Sequence, residues 1–270
     1  MENSKRMKKT ILALDPVKLE PVVRNMTAAE RPLQDFGEDI GILIFQPWYY
    51  CIPTVGHISY AKTYDFPVRL KFVNDPFDAV GFHESSPENK GWNLDAWLNA
   101  ALELQEEGVR AIVCGCGLTG MIQKELQAAV ELPVFTSSLL FVPEIYRSLA
   151  GEKRVGILTV SSEQLTAHDG AIFDGCAVDR AIPIVIAGMN ESSEAEIWAR
   201  QVTPAFDVEE TEKAIARVAV KLKEDNPDLG AIVLECTEMP PYADAIRQAT
   251  GLPVFDALDM VHRVHELVRR

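Results

Sequence analysis

The stretch AIVCGCGLTGMIQKELQAAVELPVF, residues 111–135, decides the fold, because the chain repeats it at residues 231–255 as AIVLECTEMPPYADAIRQATGLPVF. The two copies align without a gap at an offset of 120, with nine of 25 positions identical. The identities fall in blocks. Ala-Ile-Val opens both copies, Cys116 and Cys236 occupy the same place, and Leu-Pro-Val-Phe closes both. A short apolar run reads as a strand buried on both faces, and the periodic stretch behind it as a helix. Each copy therefore spells strand, cysteine, helix, strand. A fainter echo pairs Ile40-Gly41-Ile42-Leu43 with Val155-Gly156-Ile157-Leu158, which carries the duplication back over most of the chain.

Outward from the repeat, apolar runs at 40–45, 111–114, 133–135, 155–160, 231–234 and 253–255 alternate with helical periods at 94–107, 121–130, 209–223 and 242–250. That alternation predicts an α/β fold of two similar lobes with parallel sheets, related by a pseudo-twofold axis, with the site in the cleft between them. The expected division is an N-terminal extension over 1–36, punctuated by Pro16, Pro21 and Pro32, a first lobe over 37–140 and a second over 141–256. A last helix over 257–270 is expected to pack back on the first lobe, which offers a partner for Leu258, Val261 and Val264.

Composition bounds the function. With 270 residues, 47% of them hydrophobic and 24% charged, the chain can bury a real core, and disorder, collagen and coiled coil are excluded. Its 26 basic and 40 acidic residues give a net charge of −14, the wrong sign for a phosphate backbone, so nucleic acid is not an expected partner. A small anionic substrate stays open, since a local nest of N–H groups overrides global charge. No run approaches the roughly 18 to 20 apolar residues that span a bilayer, and the apolar segment 11–14 stops at Asp15, too short for a signal peptide. No membrane partner is expected. Five cysteines, in a chain long enough to fold without disulfide staples, indicate a reducing compartment and a cytoplasmic location.

The repeated cysteines carry the chemistry. Each lies beyond the C-terminal end of a strand, where open parallel sheets bind ligands, and ahead of a helix N-terminus, which favours thiolate. If the lobes face each other, one thiolate would take a proton from a carbon next to a carboxylate while the opposite thiol delivers one to the other face, with no cofactor. Packing alone would tolerate Ala, Ser or Val at either place, yet both copies hold a thiol. Cys51, Cys114 and Cys176 are expected only to fill space. Gly117, Thr119, Thr237 and Glu238 open the following helices and are candidates for holding the substrate carboxylate, although capping is their plainer role. Gln46, Ser161 and Ser162 close the other repeated strand and should also face the cleft. Trp48, Tyr49, Tyr50 and Tyr60 would form a lid or pack under a loop.

A competing motif overlaps the first copy, since Gly115-Cys116-Gly117-Leu118-Thr119-Gly120 fits the dinucleotide-binding G-x-G-x-x-G. It lies in mid-chain, its repeat Glu235-Cys236-Thr237-Glu238-Met239-Pro240 has no glycine, and Phe135 leads into Thr136-Ser137-Ser138 instead of a ribose-binding acid. No dinucleotide is expected. Nor is a metal, because Cys114-x-Cys116 has no second ligand pair among five scattered histidines.

A strand ending at Cys116, the segment Glu235-Cys236-Thr237-Glu238, and Leu-Pro-Val-Phe after each together resemble the aspartate/glutamate racemase superfamily over roughly residues 38–260. The more specific part is residues 232–242, IVLECTEMPPY. Cys116-Gly117-Leu118-Thr119 departs from the Cys-Asn-Thr pattern of the amino-acid racemases, and Ile44-Phe45-Gln46-Pro47-Trp48 replaces their glycine-rich turn. Asp65-Phe66-Pro67-Val68-Arg69 looks like a feature of another branch. The resemblance implies a cofactor-independent racemase or isomerase of a small carboxylic or amino acid, with Cys116 and Cys236 catalytic. The alternative it implies is a lyase of the algal-type dimethylsulfoniopropionate kind, eliminating a β-substituent after the α-proton is removed. A third reading is a two-lobed binding protein for a small acid, in which the cysteines merely pack. The expected partners are a small carboxylate-bearing substrate and, in a homodimer or higher homo-oligomer, further copies of the chain.

Overall fold

Ile40–Phe45 (β1) pairs in parallel with Val68–Val73 (β2) on one side and Ala111–Cys114 (β3) on the other, and β3 pairs with Val134–Phe135 (β4). The second sheet repeats that order. Arg154–Thr159 (β5) lies between Ile184–Gly188 (β6) and Leu229–Leu234 (β7), which pairs with Val254–Phe255 (β8). This α/β fold with two matching parallel sheets is seen in a computed structural model that describes residues 37–45, 54–73 and 93–269. The expected extension over 1–36, together with Gln46, Trp48, Tyr49, Tyr50 and Cys51, lies outside those residues.

Helices cover both faces of each sheet: Leu94–Glu106 (α1), Gln123–Ala129 (α2), Val142–Ser148 (α3), Ser162–Gly175 (α4), Ala195–Ala199 (α5), Val208–Asp225 (α6), Ala243–Thr250 (α7) and Ala257–Val268 (α8). Side chains alternate along a strand, so each strand feeds two cores. Ile232 and Leu234 of β7 pack with Ile215, Val218 and Leu222 of α6 and Ile246 of α7. Ala231 and Val233 point the other way, into a core with Val142 and Ile145 of α3 and Leu165 and Ile172 of α4. The chain also exchanges helices between its halves. After β4, α3 packs against β5 of the second sheet, and after β8, α8 packs against β1 and β3 of the first. There Met260, Val261 and Val264 of α8 join Ile40, Ile42, Ala111 and Val113 in one buried cluster.

Local chemistry fixes where the elements start. Asp256 accepts from the backbone N–H of Leu258 and Asp259, and Asp259 Oδ2 accepts from the N–H of Asp256 at 3.0 Å, a complete capping box for α8. Asp207 caps α6 through the N–H of Glu210 at 2.9 Å. Inside α4 the backbone breaks at Ala167 and runs left-handed through His168, Asp169 and Gly170, where Arg180 donates to the Asp169 carbonyl at 2.8 Å. Among the described residues no helix is long and apolar enough to cross a membrane.

Candidate active site

The duplication extends to single backbone hydrogen bonds. Gly115 N–H donates to the Leu43 carbonyl of β1 at 2.7 Å, and its counterpart Glu235 N–H donates to the Leu158 carbonyl of β5 at 2.9 Å. Beyond each cysteine the chain turns back the same way, with Thr119 N–H on the Cys116 carbonyl and Met239 N–H on the Cys236 carbonyl, both at 3.1 Å. Each sulfur then accepts from the N–H two residues on, Leu118 for Cys116 and Glu238 for Cys236. Both cysteines are half-buried and free, whereas Cys114 and Cys176 are fully buried and free.

The two turns are brought together. Thr237 Oγ1 donates to the Gly115 carbonyl at 2.7 Å, and Ser138 Oγ, just past β4, donates to the Leu234 carbonyl at the end of β7 at 2.8 Å. A Cβ on Gly117 would lie 2.2 Å from the Glu235 carbonyl oxygen and 2.3 Å from Glu235 Oε1, so only glycine permits this approach. Negative charge on Cys116 acts directly on Cys236. The thiols thus share one electrostatic environment.

That environment opposes thiolate. Desolvation pushes Cys116 up first, Glu235 adds to it, and the Leu118 N–H only partly offsets them. Desolvation likewise leads at Cys236, reinforced by Glu238 and Glu235 against the Glu238 N–H. The sequence predicted the opposite, on the strength of a helix dipole behind each cysteine. In the structure both turns continue as tight 3-10 helix, Gly117–Ile122 and Pro240–Tyr242, before α2 and α7 begin. The dipoles start too far along the chain, and burial beside carboxylates wins. Burial also pushes Cys114, which is fully buried, up to about 12.

The remaining candidates divide. Thr119 is fully buried, and its hydroxyl is shared between the carbonyls of Cys116 at 2.6 Å and Thr136 at 2.9 Å. Thr237 is 5% exposed with its hydroxyl on Gly115. Both hydroxyls are committed to backbone carbonyls. Ser161 and Ser162 do open a helix, α4, but a protein carboxylate already fills that anion site: Glu191 accepts from Ser161 Oγ at 2.7 Å and from the Ser162 N–H at 3.2 Å. Burial works against the Glu191 charge, yet those donors hold its carboxyl below the ordinary range. Glu238 is half-exposed beside both thiols. Gln46 lies outside the described residues. Tyr60 is half-exposed in the segment 54–66, where a Cβ on Gly56 would lie 2.9 Å from Pro241 Cα, so that segment borders the second turn.

The residue the sequence reading missed is Glu235. Its side chain is buried at 3% exposure, and Oε2 accepts from Thr159 Oγ1 at 2.6 Å. Burial raises its carboxyl to about 7, with the Thr159 bond working the other way. The signal was present: an acid ends the otherwise apolar run Ala-Ile-Val-Leu, where the first copy has glycine. Among the described residues no group of three or more His, Cys, Asp or Glu is arranged to hold a metal ion.

Two matching parallel sheets, each followed by a free cysteine just past the end of its third strand in chain order, define a pseudo-symmetric α/β fold. The chain belongs to the Asp/Glu/hydantoin racemase family, whose model matches residues 72–263. Among curated proteins it is 29% identical over 215 residues to a dimethylsulfoniopropionate lyase of Durusdinium sp. clade D, covering 78% of this chain and 69% of that one. It is 32% identical over 214 residues to dimethylsulfoniopropionate lyase 3 of Emiliania huxleyi (strain CCMP1516), covering 76% of this chain but only 54% of that protein. Among solved structures, an aspartate racemase homologue from Pyrococcus horikoshii OT3 superposes with a TM-score of 0.56 at 19% identity, covering 86% of this chain and 100% of that chain. Unliganded arylmalonate decarboxylase gives 0.52 at 16% identity, covering 86% and 92%. These two likenesses speak for the fold.

Proposed function

We propose that the chain is a cofactor-independent racemase or isomerase that moves a proton at the carbon next to a carboxylate of a small acid, with Cys116 and Cys236 as base and acid. The observation that carries this reading is the pair itself: two half-buried cysteines at equivalent repeat positions, each held by an N–H two residues on. One cysteine first gives up its proton to solvent water, both residues being only half-buried. The thiolate then takes the α-proton, the electron pair of the C–H bond moves into the adjoining carboxylate as an enolate, and the opposite thiol returns its own proton to the other face. The centre is inverted and the two sulfurs exchange roles. Free cysteines suit work in a reducing, cytoplasmic setting.

A second reading is favoured by the curated relatives, which are named dimethylsulfoniopropionate lyases at 29% and 32% identity. The first step is the same. The electron pair then forms a carbon–carbon double bond while a β-substituent departs with its bonding pair. Proton NMR of candidate acids in D₂O with the enzyme separates the two. Exchange of the α-hydrogen with inversion supports the racemase, and appearance of an alkenoic acid from a β-sulfonium acid supports the lyase. Neither signal across both substrate classes would leave only the binding protein.

A further inference from the structure

Among the described residues two carboxylates are buried, Asp256 and Glu235. Asp256 has an evident task, capping α8. Glu235 caps nothing, and no Lys, Arg or His side chain among the described residues pairs with it. It is bonded in the chain to Cys236, while its carbonyl oxygen and Oε1 both press on Gly117, the residue after Cys116. One carboxyl group therefore touches both cysteine turns. The groups facing it are Thr159 from β5, the thiols of Cys116 and Cys236, the buried Cys176 at the end of α4, and Glu238 beyond both thiols. Glu191, near the adjoining end of β6, is taken by Ser161 and Ser162.

We infer that Glu235 is the positioning residue of the thiol pair: by passing between carboxylate and carboxylic acid in a fixed place against both turns, it decides whether a neighbouring thiol can ionise. As a carboxylate it puts a like charge beside both sulfurs and holds them as thiols. As an acid it is neutral, and one thiolate is tolerated. The cluster thus holds a single negative charge whose location is shared, and its members titrate together. With its carboxyl lifted to about 7 and both thiols lifted well beyond that, the resting charge sits on Glu235. The bond from Thr159 steadies the ionised form and so favours the resting, thiol state. The first copy has Gly115 at the matching place, so one side chain serves both cysteines.

The inference rests on the paired-thiol reading and is tested without turnover. The full-length chain is alkylated with iodoacetamide from pH 5.5 to 9.5, and modification of each cysteine is followed by mass spectrometry. In Glu235→Gln, which keeps size and loses charge, alkylation of Cys116 and Cys236 should be about tenfold faster at about pH 8 to 9.5, where the wild-type carboxyl is ionised, as expected for removing a like charge at this range. Glu235→Asp, which keeps the charge, should stay nearer the wild type. Thr159→Val removes the bond that favours the carboxylate, so Glu235 stays protonated to higher pH and alkylation rises in the same direction by a smaller factor. That variant carries the test if Glu235→Gln does not fold. Alkylation rates unchanged in both Glu235→Gln and Thr159→Val would overturn the inference. If they are unchanged while Cys116→Ser and Cys236→Ser still abolish turnover, the paired-thiol reading stands and this inference alone fails. If they shift while either cysteine variant remains fully active, the charge coupling stands and the reading of function fails.

Discussion

The two cysteine turns share a backbone and differ in charge. Residues 115–120 and 235–240 leave equivalent strands, bend through the same hydrogen bonds and present N–H groups to sulfur at the same spacing. Yet Gly115, Gly117 and Leu118 of the first turn correspond in the repeat to Glu235, Thr237 and Glu238 of the second. The scaffold was duplicated and the charge was not. Symmetric placement supports proton delivery from either side of a carbon, while the acidic side chains of the second turn reach across and set the ionisation of both. Under the two-base reading, only one copy needs to carry the electrostatics.

The largest expected effect breaks the symmetric half of this comparison. Cys116→Ser and Cys236→Ser should each lower turnover by about a thousandfold or more, because a serine hydroxyl is too weak an acid to replace either thiol. Under racemase chemistry each variant should still exchange the α-hydrogen of one enantiomer, a different one in each, as read by NMR in D₂O. Under lyase chemistry one variant should retain more activity than the other. Full turnover in either would remove that cysteine from the mechanism.

Next comes the contact between the turns. Gly117→Ala puts a methyl group on the Glu235 carbonyl and carboxyl, where 2.2 Å and 2.3 Å leave no room. Overpacking of this kind costs about 1–3 kcal/mol, and the strain falls on the joint between the lobes. Urea unfolding should show the loss, accompanied by a fall in turnover. A wild-type profile would mean that the turns stand further apart.

Much of this was legible in advance, and the exceptions have physical causes. The runs at 40–45 and 111–114 match β1 and β3 to the residue because both are buried on both faces and so read as unbroken apolar stretches. The sequence reading did not identify β2 and β6, which hold the same place in the two sheets. In β2 the pattern is interrupted by Arg69, beside Glu38 and Glu107, and by Lys71, beside Glu103 and Glu107. β6 is half-exposed along most of its length and follows the break in α4. At the site the cysteines stood out because a repeat compares like with like. Glu235 was overlooked for the converse reason, having no counterpart in the first copy, and the capture of the α4 N-terminus by Glu191 is a contact between segments that periodicity does not register.

The asymmetric half of the comparison has its own stability signature. Glu235 holds its proton more tightly folded, at about 7, than at its ordinary value of 4.5. The folded state then binds more protons between those values, so this residue's contribution is most favourable below about pH 4.5 and is lost as pH rises through 7. A shift of this size amounts to about 3 kcal/mol as an upper figure. Asp256, raised to about 6 mainly by burial, adds a loss of the same sign at lower pH. Glu235→Gln should therefore be more stable than the wild type at pH 8 by about 2 kcal/mol, with the difference shrinking by pH 4, as measured by denaturant unfolding. A constant difference across that range would detach the carboxyl from this titration.

The smallest effects concern the bonds that join the lobes, Thr237 to the Gly115 carbonyl and Ser138 to the Leu234 carbonyl. Both hydroxyls are buried. Thr237→Val keeps the shape and leaves the Gly115 carbonyl without its donor, and Ser138→Ala does the same to the Leu234 carbonyl, two positions before Cys236. Each should cost about 1 kcal/mol in denaturant unfolding. The acceptors belong to different copies, Gly115 to the first and Leu234 to the second, so if the copies meet as independent surfaces the double variant should lose the sum, within about 0.5 kcal/mol. If they meet as a single joint, with Glu235 wedged against Gly117 between the two bonds, breaking the first already loosens the second and the losses fall short of additive. The sign of that coupling distinguishes two lobes that touch from one site built by both.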